Sequence, residues 1–379
     1  MSDVGRVWPS ECSEYADART GARVRQLTNH RAHSHHLYFT NPGWYAAGRR
    51  LLISSDRGNR TNLYGLDLAS GEIEQLTDLE PLARPYEVVF LRACVNPKRD
   101  EAYYTYGREV CALDLATKES RVIGEIPEGF RPSMSNCTAD GTSLCLGTFE
   151  ILGDVSRTDL LRGYVGFRET FEAKPLSKII RYATDGSGTE VVHEDKTWIG
   201  HVNTSPTKPV LLTFCHEGPW DLVDNRIWCL DIESQKAWRV RPREQGEKVG
   251  HEYWYADGER IGYHGARPDG TGLFGRIRYD NSDRVEGTFS TQTGHIHSND
   301  ESLVVGDRGV VRVWKWTGDG YDGPRVLCEH RSSFHIQQVH VHPRFSPDGS
   351  YVLFTSDRTG YGNVYAVDVP EFESLPPAD

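Results

Sequence analysis

One short paragraph of sequence recurs along this chain: a leading strand, an Asp-Gly-like turn, an apolar strand, then a strand that ends in an Asp-containing turn. The copies are clearest near the two ends. GRRLLISSDRGNRTNLYGLDLASGEIEQLT (48–77) and FSPDGSYVLFTSDRTGYGNVYAVDV (345–369) share the order apolar strand, Ser-Asp-Arg turn, Asn-x-Tyr strand and Asp. Further copies fall at about 88–126, 131–195, 199–243, 249–290 and 294–333, which makes seven. Each copy reads as a four-stranded blade, and blades that cannot bury their faces alone must stack around a ring. The expected fold is therefore all-β, a seven-bladed β-propeller formed by residues 1–379 as a single domain.

The ends of the chain agree with ring closure. EYADARTGARVRQLT (14–28) has the pattern of outer strands without inner ones, whereas the last unit stops soon after its third strand. The N-terminal strands are expected to complete the last blade. One stretch breaks the period, 152–178, where the spacing of Leu160, Leu161, Tyr164 and Phe167 predicts a short helical insertion.

Composition excludes several classes. The 379 residues carry a net charge of −11 with no run of Lys/Arg, which argues against nucleic acid as a partner. No stretch approaches the roughly 18 consecutive apolar residues of a membrane span, and Met1–Glu11 lacks the apolar core of a signal peptide, so a soluble protein is expected. The eight cysteines are scattered without CxxC spacing and read as buried free thiols. Gly270, Gly272 and Gly275 satisfy GxGxxG, but they lie in a hairpin with no helix to follow, and HExxH, GxSxG and P-loop patterns are absent.

In a propeller the first strand of each blade lines the central channel, so residues far apart in sequence converge there. Those strands carry His35 and His36, Arg92, Arg131, His201, His251, His295 and His297, and finally Gln337, His340 and His342. Residues i and i+2 on a strand face the same way, so His340 and His342 are expected to project together, with His295 of the neighbouring blade close by. Three imidazoles with an amide oxygen from Gln337 or Gln338 suit a divalent ion such as manganese, zinc or nickel. Such neutral donors leave the ion its full charge for Lewis-acid work on an anionic substrate. A second group, His216, Glu217, Asp221, Asp224 and Arg226, sits in CHEGPWDLVDNRIW. There Arg226 is either a clamp for a substrate carboxylate or part of a self-contained ion-paired turn.

Taken together, TFCHEGPWDLVDNRIW, GHEYWYADG, GHIHSND and QQVHVHPRFSPDG resemble the oligogalacturonate lyases, polysaccharide lyase family 22, and DKTWIGH, HHLYF and SSDRGNR extend the resemblance over nearly the whole chain. The resemblance implies a cytoplasmic seven-bladed propeller that cleaves short oligogalacturonides by β-elimination with a divalent ion, usually Mn²⁺. Position by position it implies His295, Gln337, His340 and His342 as metal ligands, His251 as general base and Arg226 as a substrate-binding residue. Beside them, His35, His201 and His216 are candidate substrate contacts. The insertion GFRETFEAKPLSK and the segment HHLYF, in place of the more usual His-Arg-Asn-Tyr-Phe, depart from the family pattern. Two rivals remain at the level of sequence: a lyase of the same mechanism for another uronate-containing oligosaccharide, and a non-catalytic TolB-like propeller scaffold. The sequence implies no oligomeric state.

Overall fold

A computed structural model describes residues 2–82, 92–153 and 165–378. Its strands form seven antiparallel sheets arranged as the blades of a propeller. Blades two to six are each four consecutive strands, with inner strands Cys94–Val95, Phe130–Cys137, Ile199–Thr204, Lys248–Trp254 and Ile296–His297. The first blade has Ser34–His36 innermost and Arg50–Ser55, Asn62–Asp67 and Ile73–Gln75 outside it. In the last blade Arg344–Phe345, Tyr351–Ser356 and Asn363–Asp368 are joined by N-terminal strands, because Arg23–Gln26 pairs antiparallel with Asn363–Asp368 and Ser13–Ala16 pairs outside it. The ring thus closes by hydrogen bonds between its two ends, as the split repeat predicts.

The turns show why the repeat is visible in the sequence. After the third strand of blades one, two and four, the Oδ1 of Asp67, Asp114 and Asp231 accepts the N–H groups two and three residues ahead, at 2.8 to 3.0 Å. After the inner strands, Asp140, Asp257, Asp300 and Asp348 cap their hairpins through the N–H of Thr142, Glu259, Ser302 and Ser350. A carboxylate that satisfies two local donors fixes each turn without help from the core.

Between neighbouring blades lie apolar wedges. Leu51, Ile53 and Tyr64 of the first blade meet Leu353, Val364 and Ala366 of the last, and Cys145, Ile179 and Val192 of the third meet Leu212, Phe214 and Leu230 of the fourth. Tyr38 and Phe39 extend the wedge formed by Tyr253, Phe274, Ile296 and Trp314 into the central channel. Seven of the eight cysteines are buried free thiols, whereas Cys12 is exposed, contrary to expectation, because its N-terminal stretch lies outside the wedges. Among the described residues no helix is long and apolar enough to cross a membrane.

Two expectations about local structure are revised. Only Phe167–Ala173 of the insertion is a described helix; Leu160, Leu161 and Tyr164 lie outside the described residues. The segment with His340 and His342 is not a strand: Gln337–Val339 is a single 3-10 turn, His342 has φ +45°, and the inner strand begins only at Arg344. Pro343 has no N–H to give to a ladder, so pairing starts after it.

Candidate active site

Backbone irregularities aim the histidines. The inner strands of blades four and five lose register between Gly200 and Asn203 and between Gly250 and Tyr253, and the residues displaced by these bulges include His201 (φ +47°) and His251 (φ +50°). A bulge turns a side chain that would alternate with its neighbours toward the channel. The preceding glycines are required by close packing, since a Cβ on Gly250 would lie 2.6 Å from the Arg226 side chain. Strained non-glycine backbone at His201, His251 and His342 is the kind of cost that persists at functional sites.

Three imidazoles converge as expected, although two of them come from a loop. Ring centroids of His295 and His342 are 4.4 Å apart, those of His295 and His340 5.7 Å, and those of His340 and His342 5.6 Å. One nitrogen from each lies within 4.8 Å of the others. The Nδ1 of His295 is 2.6 Å from Oδ2 of the fully buried Asp307, which also accepts the His295 backbone N–H through Oδ1. This leaves Nε2 of His295 for a ligand. His340 Nδ1, His342 Nε2 and Gln338 Oε1 are buried without hydrogen-bond partners. Orphaned donors and acceptors are costly unless something fills them, so the residues fit a divalent ion. Gln337 opens the 3-10 turn, and its carbonyl accepts the His340 N–H at 3.1 Å; the amide oxygen left without a partner belongs to its neighbour Gln338.

His251 adjoins this cluster, 4.8 Å from His295 between ring centroids. Its Nδ1 lies 2.8 Å from Nε2 of His264, a residue on the adjacent strand Arg260–Ala266. Burial, then the proximity of His295, His264 and His201, holds His251 well below the usual imidazole range. Burial first and His295 second likewise bring His264 down to about 3 and His340 down to about 4. All three are neutral at neutral pH, the state required of a base or a ligand.

Arg226 is buried, and its fork is already occupied: Nη1 and Nη2 donate to Glu217 at 2.7 and 3.3 Å, while Trp220 covers the guanidinium at 5.1 Å. Burial opposes the charge, but Glu217, Cys215 and Glu252 outweigh it and raise the pKa of Arg226. For Glu217 burial works upward, and Arg226 and His201 bring it down to about 2. The Nε of Arg226 is buried against Gly250 and has no acceptor. His201 stacks on His251 at 5.9 Å, with its Nδ1 3.6 Å from the fully buried Glu252 and its Nε2 3.5 Å from the Tyr38 hydroxyl.

Other expected positions lie outside the histidine cluster. His216 is held by Asp224 (2.7 Å) and stacked on Trp228 (4.6 Å) at the end of the second strand of its blade. The Nδ1 of His35 turns to the His36 carbonyl at 3.2 Å. Arg92 donates to the Pro132 carbonyl, and Arg131 lies over the Phe149 ring. Sequence reasoning missed His264, Asp307 and Glu252. His264 sits on the second strand of its blade, opposite Gly250, and Asp307 directly follows the strand Leu303–Gly306; a polar residue in or just after an otherwise apolar strand facing a Gly-His doublet is the signal that would have found them.

Comparison with known proteins places the chain in a family. Residues 4–321 match the family model described as oligogalacturonate lyase. An oligogalacturonide lyase of Pectobacterium atrosepticum is 28% identical over 402 residues, covering 97% of this chain and 98% of that protein, and an oligogalacturonate lyase of Dickeya dadantii is 27% identical, covering 94% and 96%. Among solved structures, an oligogalacturonate lyase in complex with manganese superposes with a TM-score of 0.86 at 26% identity, covering 98% of this chain and 99% of that one. One from Vibrio parahaemolyticus gives 0.85 at 25% identity, covering 97% and 99%.

Proposed function

The chain belongs to the oligogalacturonate lyase family and is a lyase, and from this premise we propose that it cleaves short oligogalacturonides, digalacturonate and trigalacturonate, by metal-dependent β-elimination to unsaturated uronate products. One observation carries the proposal: a neutral imidazole with a free Nε2, that of His251, beside three further imidazoles with unfilled nitrogens.

The proton at C5 of a uronate is weakly acidic because its loss places charge on the adjacent carboxylate. Elimination therefore requires that carboxylate to be neutralised while a base reaches C5. A divalent cation held by His295, His340, His342 and the amide of Gln337 or Gln338, manganese or else zinc or nickel, supplies Lewis-acid neutralisation when bound. Arg226 supplements it with a fixed positive charge, and Glu217 braces the guanidinium so that it cannot turn away. His251 takes the C5 proton on Nε2. Its Nδ1–H donates to His264, which fixes the tautomer that has a lone pair to offer. His201 lies beside the base and orients the sugar.

The test is incubation of the purified protein with di- and trigalacturonate and Mn²⁺, with and without chelator, followed by mass spectrometry. Dehydrated uronate that forms with metal and disappears on chelation is expected. Intact oligomers in the presence of one bound divalent ion per chain would overturn the galacturonide assignment.

A further inference from the structure

The inner strands run from the histidine mouth of the channel to a second mouth. Along them His201 gives way to Asn203 and Thr204, His251 to Tyr253 and Trp254, and His295 to His297. Phe39, fully buried, separates the two ends. Its ring packs against His251, His295 and His342 at 5.7 to 6.2 Å and against Tyr253 at 6.4 Å. Beyond this plug lies a cavity of about 280 Å³ lined by the far ends of the inner strands.

The chemistry of that cavity is one-sided. Arg344 is on its wall, with Asn136, Asn203, His297, Ser298 and Asn299, and none of the described lining residues is Asp or Glu. Among the described residues no carboxylate pairs with Arg344. Its Nη1 donates to the Phe39 carbonyl, while its Nε is buried without an acceptor. A guanidinium offers five donors in a fork that matches a carboxylate, and leaving it desolvated and unpaired is costly. His297 adds a donor: its Nδ1 accepts the Phe345 N–H at 3.3 Å, which leaves the ring proton on Nε2. Asn203 contributes an Oδ1 that is buried and unpartnered, an acceptor suited to a hydroxyl.

We propose that this far mouth is a second binding site, taking a small hydroxylated carboxylate of monosaccharide size, with the carboxylate on Arg344 and the hydroxyls on Asn203 Oδ1 and His297 Nε2. The volume admits one sugar ring and no longer oligomer. The choice of a uronate monosaccharide as the ligand rests on the lyase reading above, whereas the anion site rests on Arg344 and its surroundings alone.

Titration calorimetry on the full chain, with chelator present, compares D-galacturonate, neutral D-galactose and acetate. One galacturonate per chain is expected, with galactose at least about tenfold weaker. Arg344→Gln should weaken galacturonate by about tenfold or more. Because Arg344 also braces the Phe39 carbonyl, Ala256→Glu provides an independent reading: residue 256 is exposed on the cavity rim, and a carboxylate there repels the ligand without disturbing the core. Ala256→Glu should reproduce the loss and leave turnover of digalacturonate unchanged. Affinity that is unaltered in both variants, or abolished by Arg226→Lys instead, overturns the site. Binding of acetate without galacturonate overturns the assignment of a hydroxylated ligand, whatever the lyase assay gives.

Discussion

At the scale of single residues, function depends on which nitrogen of each histidine is free. Because His251 Nδ1 is engaged by His264, the free Nε2 accepts a proton only if His264 is the acceptor in that hydrogen bond. His251→Asn should lower kcat by about 10²–10⁴-fold, the usual range for losing a general base, while manganese binding measured by calorimetry is retained. His264→Gln keeps an acceptor oxygen near Nδ1 and should preserve more of kcat than His264→Leu, with KM similar in both. Equal losses in the two variants would mean that His264 serves packing alone. Asp307 acts in the same way on His295, through the 2.6 Å contact to Nδ1. Asp307→Asn should weaken manganese binding by about 10–100-fold, as is common when the partner of a ligating histidine is changed, and an unchanged titration would sink that role. The histidine cluster was legible because histidines crowd the start of successive repeats, and the roles of ligand and base came from the resemblance of the motifs around them. Their supports were not, since His264 and Asp307 act across a hairpin and nothing in a linear reading pairs them with His251 and His295.

At the scale of elements, the closing strand and the bulges matter most. The architecture was readable because many of its turns are set by their own Asp, so those hairpins declare themselves locally. Ring closure was readable for the complementary reason, a surplus of outer strands at one end and a deficit at the other. Two features were hidden. A bulge has no residue signature beyond its glycine, and the segment of His340 and His342 alternates like a strand while Pro343 keeps it out of the ladder. Closure gives a quantitative expectation. Val24, fully buried in the strand Arg23–Gln26, packs with Val352, Phe354 and Val367 of the last blade. Val24→Ala should cost about 2 kcal/mol in urea unfolding. Val24→Asp, which buries an unpaired charge, should cost several times more and open the edge of Asn363–Asp368 to aggregation. A Val24→Asp protein as stable as the parent would mean that the ring does not depend on this strand.

For the whole molecule, the buried histidines and acids together set a direction of pH dependence. Burial holds His36 and His264 down to about 3 and keeps His297 well below the usual imidazole range. In the unfolded chain such groups take up protons as pH falls through about 6.5, whereas the folded protein refuses them. The unfolded state then binds more protons, so stability that is complete above that pH is lost progressively below it. Glu217 and Glu286 act lower down. Burial raises both; Arg226 and His201 bring Glu217 down to about 2, and Arg284 and Arg241 bring Glu286 down to about 2. Their contribution is present above about pH 4.5 and disappears as pH falls toward 2. The two windows add with the same sign, so the Tm of chelated protein should fall continuously from pH 7 to pH 3, beginning in the histidine window. Saturating Mn²⁺ should raise Tm at pH 7, because a ligand that binds only the folded state stabilises it. That increment should vanish by about pH 4, where protons compete for the imidazole nitrogens. Differential scanning calorimetry with and without chelator checks both, and a Tm that stays flat between pH 7 and 5 would mean that the buried imidazoles exchange protons with solvent as freely as those of the unfolded chain.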